Sequence, residues 1–420
     1  ENIDRVPDLD PELKKRYIGE AKVLRAYNYY ELYTKFGDVP YTTKVLSIKE
    51  SMSIARTAKA TVIANVLADL DEVINGNYVP TSYEADNKGR ITRWAAMAIK
   101  AKIYLFEGNW TQVKNITSTI MTEGGFKLFE SYAGLFEIAN EYNSEVILDA
   151  QYRPTSREHQ MMYVFLPPTL GGYSQLSPLQ ELVDSYIMLD GKTIKETGTS
   201  FDESHPYANR DPRLKATVMY TGNSYTLADG TEVVINCEKG EGKDGYGVGS
   251  DCSATGYYIK KYWDNTYRAT LYSGLNPILI RYADILLMNA EALAELGELD
   301  KTAWDATIKP IRDRAGFTLA SALEFPEGAS KDKLIEIVRN ERRSELALEG
   351  HRHKDIIRWR IADNVLNGWC HGLKTNDVVG TDDGYVRVEN RTFNANRHYL
   401  WPIPQAERDL NGNLEQNPNW

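Results

Sequence analysis

Apolar side chains recur at three- and four-residue steps over 281–297, where Ala283, Leu287, Ala290, Ala294 and Gly297 share one side and Leu286 and Leu293 flank them. That period predicts a helix whose small residues let a neighbouring element approach closely. Gly297 ends it, the next three residues make a turn, Asp300 supplies an N-cap, and a second helix runs to Arg314 before Gly316 stops it. Pro310 marks a kink or an early break in that second helix. The antiparallel pair has about the length of one tetratricopeptide repeat.

The same reading predicts helices over 10–36, 57–74, 94–107, 111–122, 331–348 and 354–366. In the first, Ile18, Ala21, Leu24, Ala26, Tyr29, Leu32 and Tyr33 give a wide apolar face. Aligning Gly108 on Gly297 makes 94–122 a second copy of the helix pair, alike in architecture and weak in identity. Between 126 and about 275 the text changes to short β-like runs (146–148, 231–235 and 257–262), proline turns and a Gly-rich stretch over 240–249. The fold class that follows is mainly α, with tetratricopeptide-like helix pairs forming a scaffold that carries a loop-rich mixed α/β insert. Residues 1–125 hold the first helix pairs, 126–277 the insert and expected ligand-binding face, and 278–420 the last helix pairs with an extended C-terminal tail, all in one compact unit.

Composition removes several classes of function. The 420-residue chain is 42% apolar, enough for a large core, and its net charge of −10 with no dense Lys/Arg stripe speaks against nucleic acid. No run of eighteen apolar residues predicts a membrane span, and ENIDRVPDLD at the start lacks the features of a signal segment. Cys237 and Cys252 bracket the Gly-rich stretch at a spacing open to a short disulfide loop, with Cys370 left over. The 27 tyrosines and 8 tryptophans together outnumber the 10 phenylalanines, a surplus of rings with polar handles that suits cores and wet binding surfaces alike.

Several blocks in order carry a family resemblance: EAKVLRAYNYYELYTKFGDVPY, GRITRWAAMAIKAKIYLFEG, ELVDSYIMLDG, RDPRL, RYADILLMNAEALAELG, IRDRAG, ERRSELALEGHRHKDIIRW, and LWPIPQAE with LEQNPNW at the end. In these blocks the chain resembles the SusD/RagB family of outer-membrane nutrient-binding lipoproteins. The resemblance implies a helical scaffold with a variable loop face that binds an oligosaccharide, or in some members a peptide, without catalysis and without a cofactor. It implies a SusC-like TonB-dependent transporter as partner, an outer-membrane location exposed at the cell surface, and a lipid anchor on an N-terminal segment ahead of the Glu20 block. That segment is missing here, so the chain is read as a truncated or processed form whose site the segment would help complete.

Sugars present apolar C–H faces rimmed by hydroxyls, so a site for them needs exposed rings beside amide, carboxylate or guanidinium groups. The insert crowds such groups together, and Trp263, Tyr267, Tyr272, Asn265 and Arg268 are the expected ligand contacts, with Tyr173 in Gly171-Gly172-Tyr173-Ser174-Gln175 a second candidate. The alternation over 257–262 reads instead as a half-buried strand. Competing chemistry is weaker. Gly240–Gly245 fits G-x-G-x-x-G, but the Gly- and Ser-rich text after it does not open a helix, so a loop is the better reading than a dinucleotide site. Glu349, His351 and His353 lack a third ligand block for a metal, and the acidic loop 376–383 reads as a solvated turn rather than a calcium site. Glu341, Glu345 and Glu349 would be the carboxylates of a glycoside hydrolase, but their four-residue spacing with Arg342 and Arg343 between them fits ion pairs between packed helices. A helical-repeat adaptor working through protein contact alone is the third class.

Overall fold

The computed structural model describes residues 2–266 and 271–420, and they fall into two compact units. The first comprises residues 1–125, 353–366 and 392–420, and the second 126–352 and 367–391.

In the first unit the helices Pro11–Phe36, Lys59–Asn75, Arg93–Phe106 and Trp110–Glu123 pack in sequence order. Their starts are chemically marked: Asp10 accepts from the Leu13 N–H at 2.8 Å, and Thr92 accepts from that of Ala95 at 3.2 Å. Val23, Ala26, Val62, Val66, Ala95, Ala98 and Val113 are fully buried between these helices. Charged pairs brace the same helices, with Arg25 gripping Asp69 through two bonds of 2.8 and 2.6 Å. The proline-rich tail lies on this unit, where the Trp401 N–H donates to the Lys35 carbonyl at 2.7 Å.

In the second unit the helices Tyr282–Leu296 and Lys331–Glu345 pack together beside a short antiparallel pair, Val146–Asp149 with Ile278–Arg281. Gly297 caps the first of these helices in the left-handed region, φ 73°, which glycine reaches without a Cβ clash. Asp300 caps the next segment as expected, accepting from the Ala303 N–H at 2.8 Å. That segment is two helices, Lys301–Ala306 and Ile308–Ala315, parted at Thr307 just ahead of Pro310. The strand expected over 257–262 shrinks to Tyr258–Ile259, paired with Val218–Met219, and both of its residues are buried. A further sheet, Gly368–Lys374 beside Tyr385–Arg391 with Thr381–Asp382 at its edge, has no counterpart in the sequence reading.

The boundaries drawn from sequence divide the chain differently. Residues 278–352 group with the insert, and buried charges tie them to it: Arg281 and Arg314 pair with Glu145, while Arg213 pairs with Glu341 and Glu345. The three cysteines are free, so Cys237 and Cys252 form no bridge here. Among the described residues no helix is long and apolar enough to cross a membrane.

Candidate functional site

The second unit exposes an aromatic step built by a loop folding back on a short helix. The Met161–Phe165 helix ends at Leu166, and Pro167-Pro168 leads into a 3-10 turn, Pro168–Leu170. Gly171 then adopts φ 83°, and Gly172 passes so close to Leu166 that a Cβ there would lie 2.1 Å from the Leu166 carbonyl oxygen. Only glycine fits that approach. The returning segment is pinned by two backbone bonds of 2.9 Å, from the Tyr173 N–H to the Tyr163 carbonyl and from the Leu176 N–H to that of Val164. The Thr169 N–H donates to the buried Asp244 carboxylate at 2.7 Å, fixing the turn to the Gly-rich segment.

The consequence is a stacked pair. The Tyr163 and Tyr173 rings lie 4.2 Å apart at 28°, and Tyr173 remains 40% exposed. Burial, the neighbouring Tyr173 and the charge of Asp251 push the Tyr163 phenol up. Leu176, 57% exposed, extends the surface, and beneath it Met161, Val164, Phe165 and Tyr262 line a small cavity of ≈ 290 Å³. Two residues before the helix, His159 exchanges backbone bonds of 2.9 and 3.0 Å with Ser273, and this bridge sets exposed Tyr272 beside the same segment. The arrangement offers flat apolar faces with phenolic hydroxyls at their edges, the surface a sugar ring can lie on.

The expected contacts therefore separate. Tyr173 and Tyr272 are both exposed. Trp263 does not present an open face: it is half-buried, its indole N–H donates to the Thr226 carbonyl at 2.8 Å, and its ring leans on Tyr225 at 5.1 Å. Asn265 is half-buried next to Asp264, whose carboxylate accepts from Thr266 and from Ser273. Tyr267 and Arg268 lie outside the described residues. Tyr163 escaped the sequence reading because nothing in MMYVF marks it apart from core residues; the Gly171-Gly172 turn eight residues on was the available signal.

The carboxylates of the hydrolase reading belong to the core. Glu341, Glu345 and Glu349 have side chains at most 1% exposed, and each is paired with arginine. The Gly240–Gly245 stretch forms turns, and no helix follows it before Gly256. No group of three His, Cys, Asp or Glu among the described residues is arranged to hold a metal ion.

Residues 134–420 match the family described as the SusD family, and residues 1–105 match one described as starch-binding associating with outer membrane. Among solved structures, a SusD-like carbohydrate binding protein from Bacteroides fragilis superposes with a TM-score of 0.88 at 29% identity, covering 98% of this chain and 82% of that one. A second SusD-like protein of the same species gives a TM-score of 0.82 at 28% identity over 98% of this chain and 81% of its own. A SusD-like protein of Formosa agariphila is 27% identical over 390 residues, 87% of this chain and 68% of that relative.

Proposed function

The chain belongs to the SusD family, and from that premise we propose that it is an outer-membrane glycan-binding protein that captures oligosaccharide without turning it over. The stack of exposed Tyr173 on half-buried Tyr163 carries this reading. Its rings are already in contact and held by backbone bonds, so a sugar laid on Tyr173 orders little that is still free. Tyr272 extends the contact surface, and Trp263 and Asn265 shape the segment beside it. The resemblance of the whole fold to a carbohydrate binding protein supports the same ligand class. Captured glycan passes to a SusC-like TonB-dependent transporter at the cell surface.

The test is calorimetry of the chain against neutral, amino and acidic oligosaccharides, with a reducing-end assay on the same samples. Saturable heat without new reducing ends is expected, and Tyr173→Ala should weaken binding at least tenfold while leaving the circular dichroism spectrum unchanged. Undiminished affinity in that variant removes the stack from the site, and new reducing ends overturn the binding-only reading. A peptide ligand would appear as heat from peptides with none from any sugar.

A further inference from the structure

A second feature of the same unit has the make-up of a ligand site and shares no residue with the aromatic step. A cleft of ≈ 920 Å³ opens between the loop 201–208 and the hairpin 368–391, within the size range of about 300–1,000 Å³ typical of ligand pockets. On its wall Tyr207 and Tyr220 stack with ring centroids 4.0 Å apart and planes at 16°. Tyr385 lines it from the hairpin.

The cleft is built in advance. Buried Arg210 donates to the carbonyls of Val183, Tyr186 and Pro206 at 2.6, 2.7 and 2.8 Å and lies over the Phe201 ring, so the loop carrying Tyr207 is held from beneath. The Tyr257 hydroxyl, itself bonded to Gln180, meets the Tyr207 hydroxyl at 3.3 Å and fixes the ring. Across the mouth Lys374 pairs with Glu203 at 2.8 Å and Lys239 pairs with Asp377.

The charges of the lining then decide what it accepts. Once Lys374 and Lys239 are matched with Glu203 and Asp377, the exposed carboxylates of Glu238 and Glu241 are left without an ion pair among the described residues. Unmatched carboxylates at the rim repel an acidic ligand and accept hydrogen bonds from hydroxyls. Asn376 adds an exposed amide that both donates and accepts. Flat rings, hydroxyls, an amide and spare acceptors are the groups a polyhydroxylated chain needs.

We propose that this cleft is a second saccharide site, separate from the Tyr163–Tyr173 step, that takes uncharged oligosaccharides and turns away uronate or sulfated ones. The inference rests on the glycan reading of the protein but assigns different residues. Two sites on one unit would hold a long chain at two points, and tethering makes the second contact effectively intramolecular.

The experiment is calorimetry of the intact chain with neutral hexasaccharides (malto-, laminari-, xylo- and manno-) and with a hexauronate, using the Tyr173→Ala, Tyr220→Ala and Ala208→Trp variants. Ala208 is exposed on the cleft lining, so a tryptophan there fills the space without touching the core if Tyr220→Ala misfolds. The expected result is two sites per chain for a neutral hexasaccharide, one lost in Ala208→Trp and the other in Tyr173→Ala, with no hexauronate heat from the cleft until Glu238→Gln and Glu241→Gln are combined. One site that Tyr173→Ala abolishes and Ala208→Trp leaves intact overturns the cleft and keeps the step. One site with the reverse sensitivities keeps the cleft and overturns the step. Silence with every neutral hexasaccharide overturns both.

Discussion

The Arg281 guanidinium donates to the Glu345 carboxylate at 2.6 Å in the second unit, and neither side chain is more than 1% exposed. Glu345 is also bonded by Arg213 at 2.8 Å and by Arg314. Arg281 reaches Glu145 and Glu349 as well. Removing one partner from such a cluster strands a buried charge, which costs about 3–5 kcal/mol. Glu345→Gln should therefore lose stability in that range by urea denaturation, whereas an exposed exchange such as Lys333→Gln should cost well under 1 kcal/mol. Equal midpoints for the two variants would show that the cluster contributes nothing specific.

The same cluster sets an acid limit. Burial alone would raise the Glu345 carboxyl, but Arg314, Arg281 and Arg213 together hold it well below the usual carboxylate range, and Glu341 and Glu349 are lowered in the same way. A carboxylate depressed in the folded state contributes stability above its unfolded pKa and loses it as the pH falls. Unfolding free energy should thus drop steeply below about pH 4, where unfolded carboxylates take up protons. A flat profile between pH 5 and 3 contradicts the assignment.

His371 reports from the hairpin that lines the cleft. Its Nδ1 meets Glu181 at 2.8 Å and its Nε2 meets Asp382 at 3.0 Å; Asp382 is shared with Arg387, and Arg343 donates to the Glu181 carbonyl. Burial disfavours the imidazolium, yet the bonds to Asp382 and Glu181 outweigh it and raise the pKa above 6.5. A raised histidine contributes its stability below the unfolded value and loses it as the pH climbs through the folded one. An NMR titration should place the His371 midpoint above 6.5, and Asp382→Asn should bring it down; a wild-type midpoint at or below 6.5 refutes the two-carboxylate clamp.

Gly172 is the most restrictive position of the aromatic step. A methyl group there would have to displace the Leu166 backbone, and overpacking of this kind costs about 1–3 kcal/mol. Gly172→Ala should lower the melting temperature and weaken glycan binding together, since moving the loop takes Tyr173 off Tyr163. Binding at wild-type strength in a destabilised Gly172→Ala protein would mean that the stack is not needed.

These positions also mark where the sequence stops being readable. The helix Tyr282–Leu296 was legible because its apolar period is local and Gly297 marks its end, whereas Pro11–Phe36 was legible in extent but not in facing: Ala21, Leu24 and Leu32 of its expected apolar face are exposed, and Val23, Tyr30 and Thr34 are buried instead. Lys331–Glu345 stops three residues short of the predicted Leu348, where Leu348 turns to φ 63°. The hairpin 368–391 was not legible: it buries Cys370, Gly372 and Leu373 in no strict alternation, and its pairing slips twice. Ring pairs such as Tyr163–Tyr173 and Tyr207–Tyr220 arise from loops returning over ten or more residues, which composition cannot place. Trp263 looked like a platform in one dimension because its partners, Tyr225 and Thr226, come from a hairpin nearly forty residues upstream.

The last relationship ties the chain's end to its first unit. Arg56 donates through Nε to the Asp38 carbonyl at 2.8 Å, through Nη1 to that of Glu415 at 2.8 Å, and through Nη2 to Phe36 at 3.0 Å and the Asn417 side chain at 2.6 Å. Asn417 completes the arrangement by donating to the Phe36 and Trp401 carbonyls at 3.0 and 2.7 Å. One planar guanidinium thus serves four acceptors, which a lysine ammonium with three donors on a flexible stem does not reproduce. Arg56→Ala should cost about 1–3 kcal/mol, the range for leaving partly buried acceptors unmet. Arg56→Lys should recover little of it. Hydrogen exchange should rise over 401–417 in both variants, leaving the Tyr282–Leu296 helix of the other unit at its wild-type rate. Unchanged protection of the tail in Arg56→Ala would show that its packing, including Phe36 against Trp401 at 6.0 Å, holds it without the arginine.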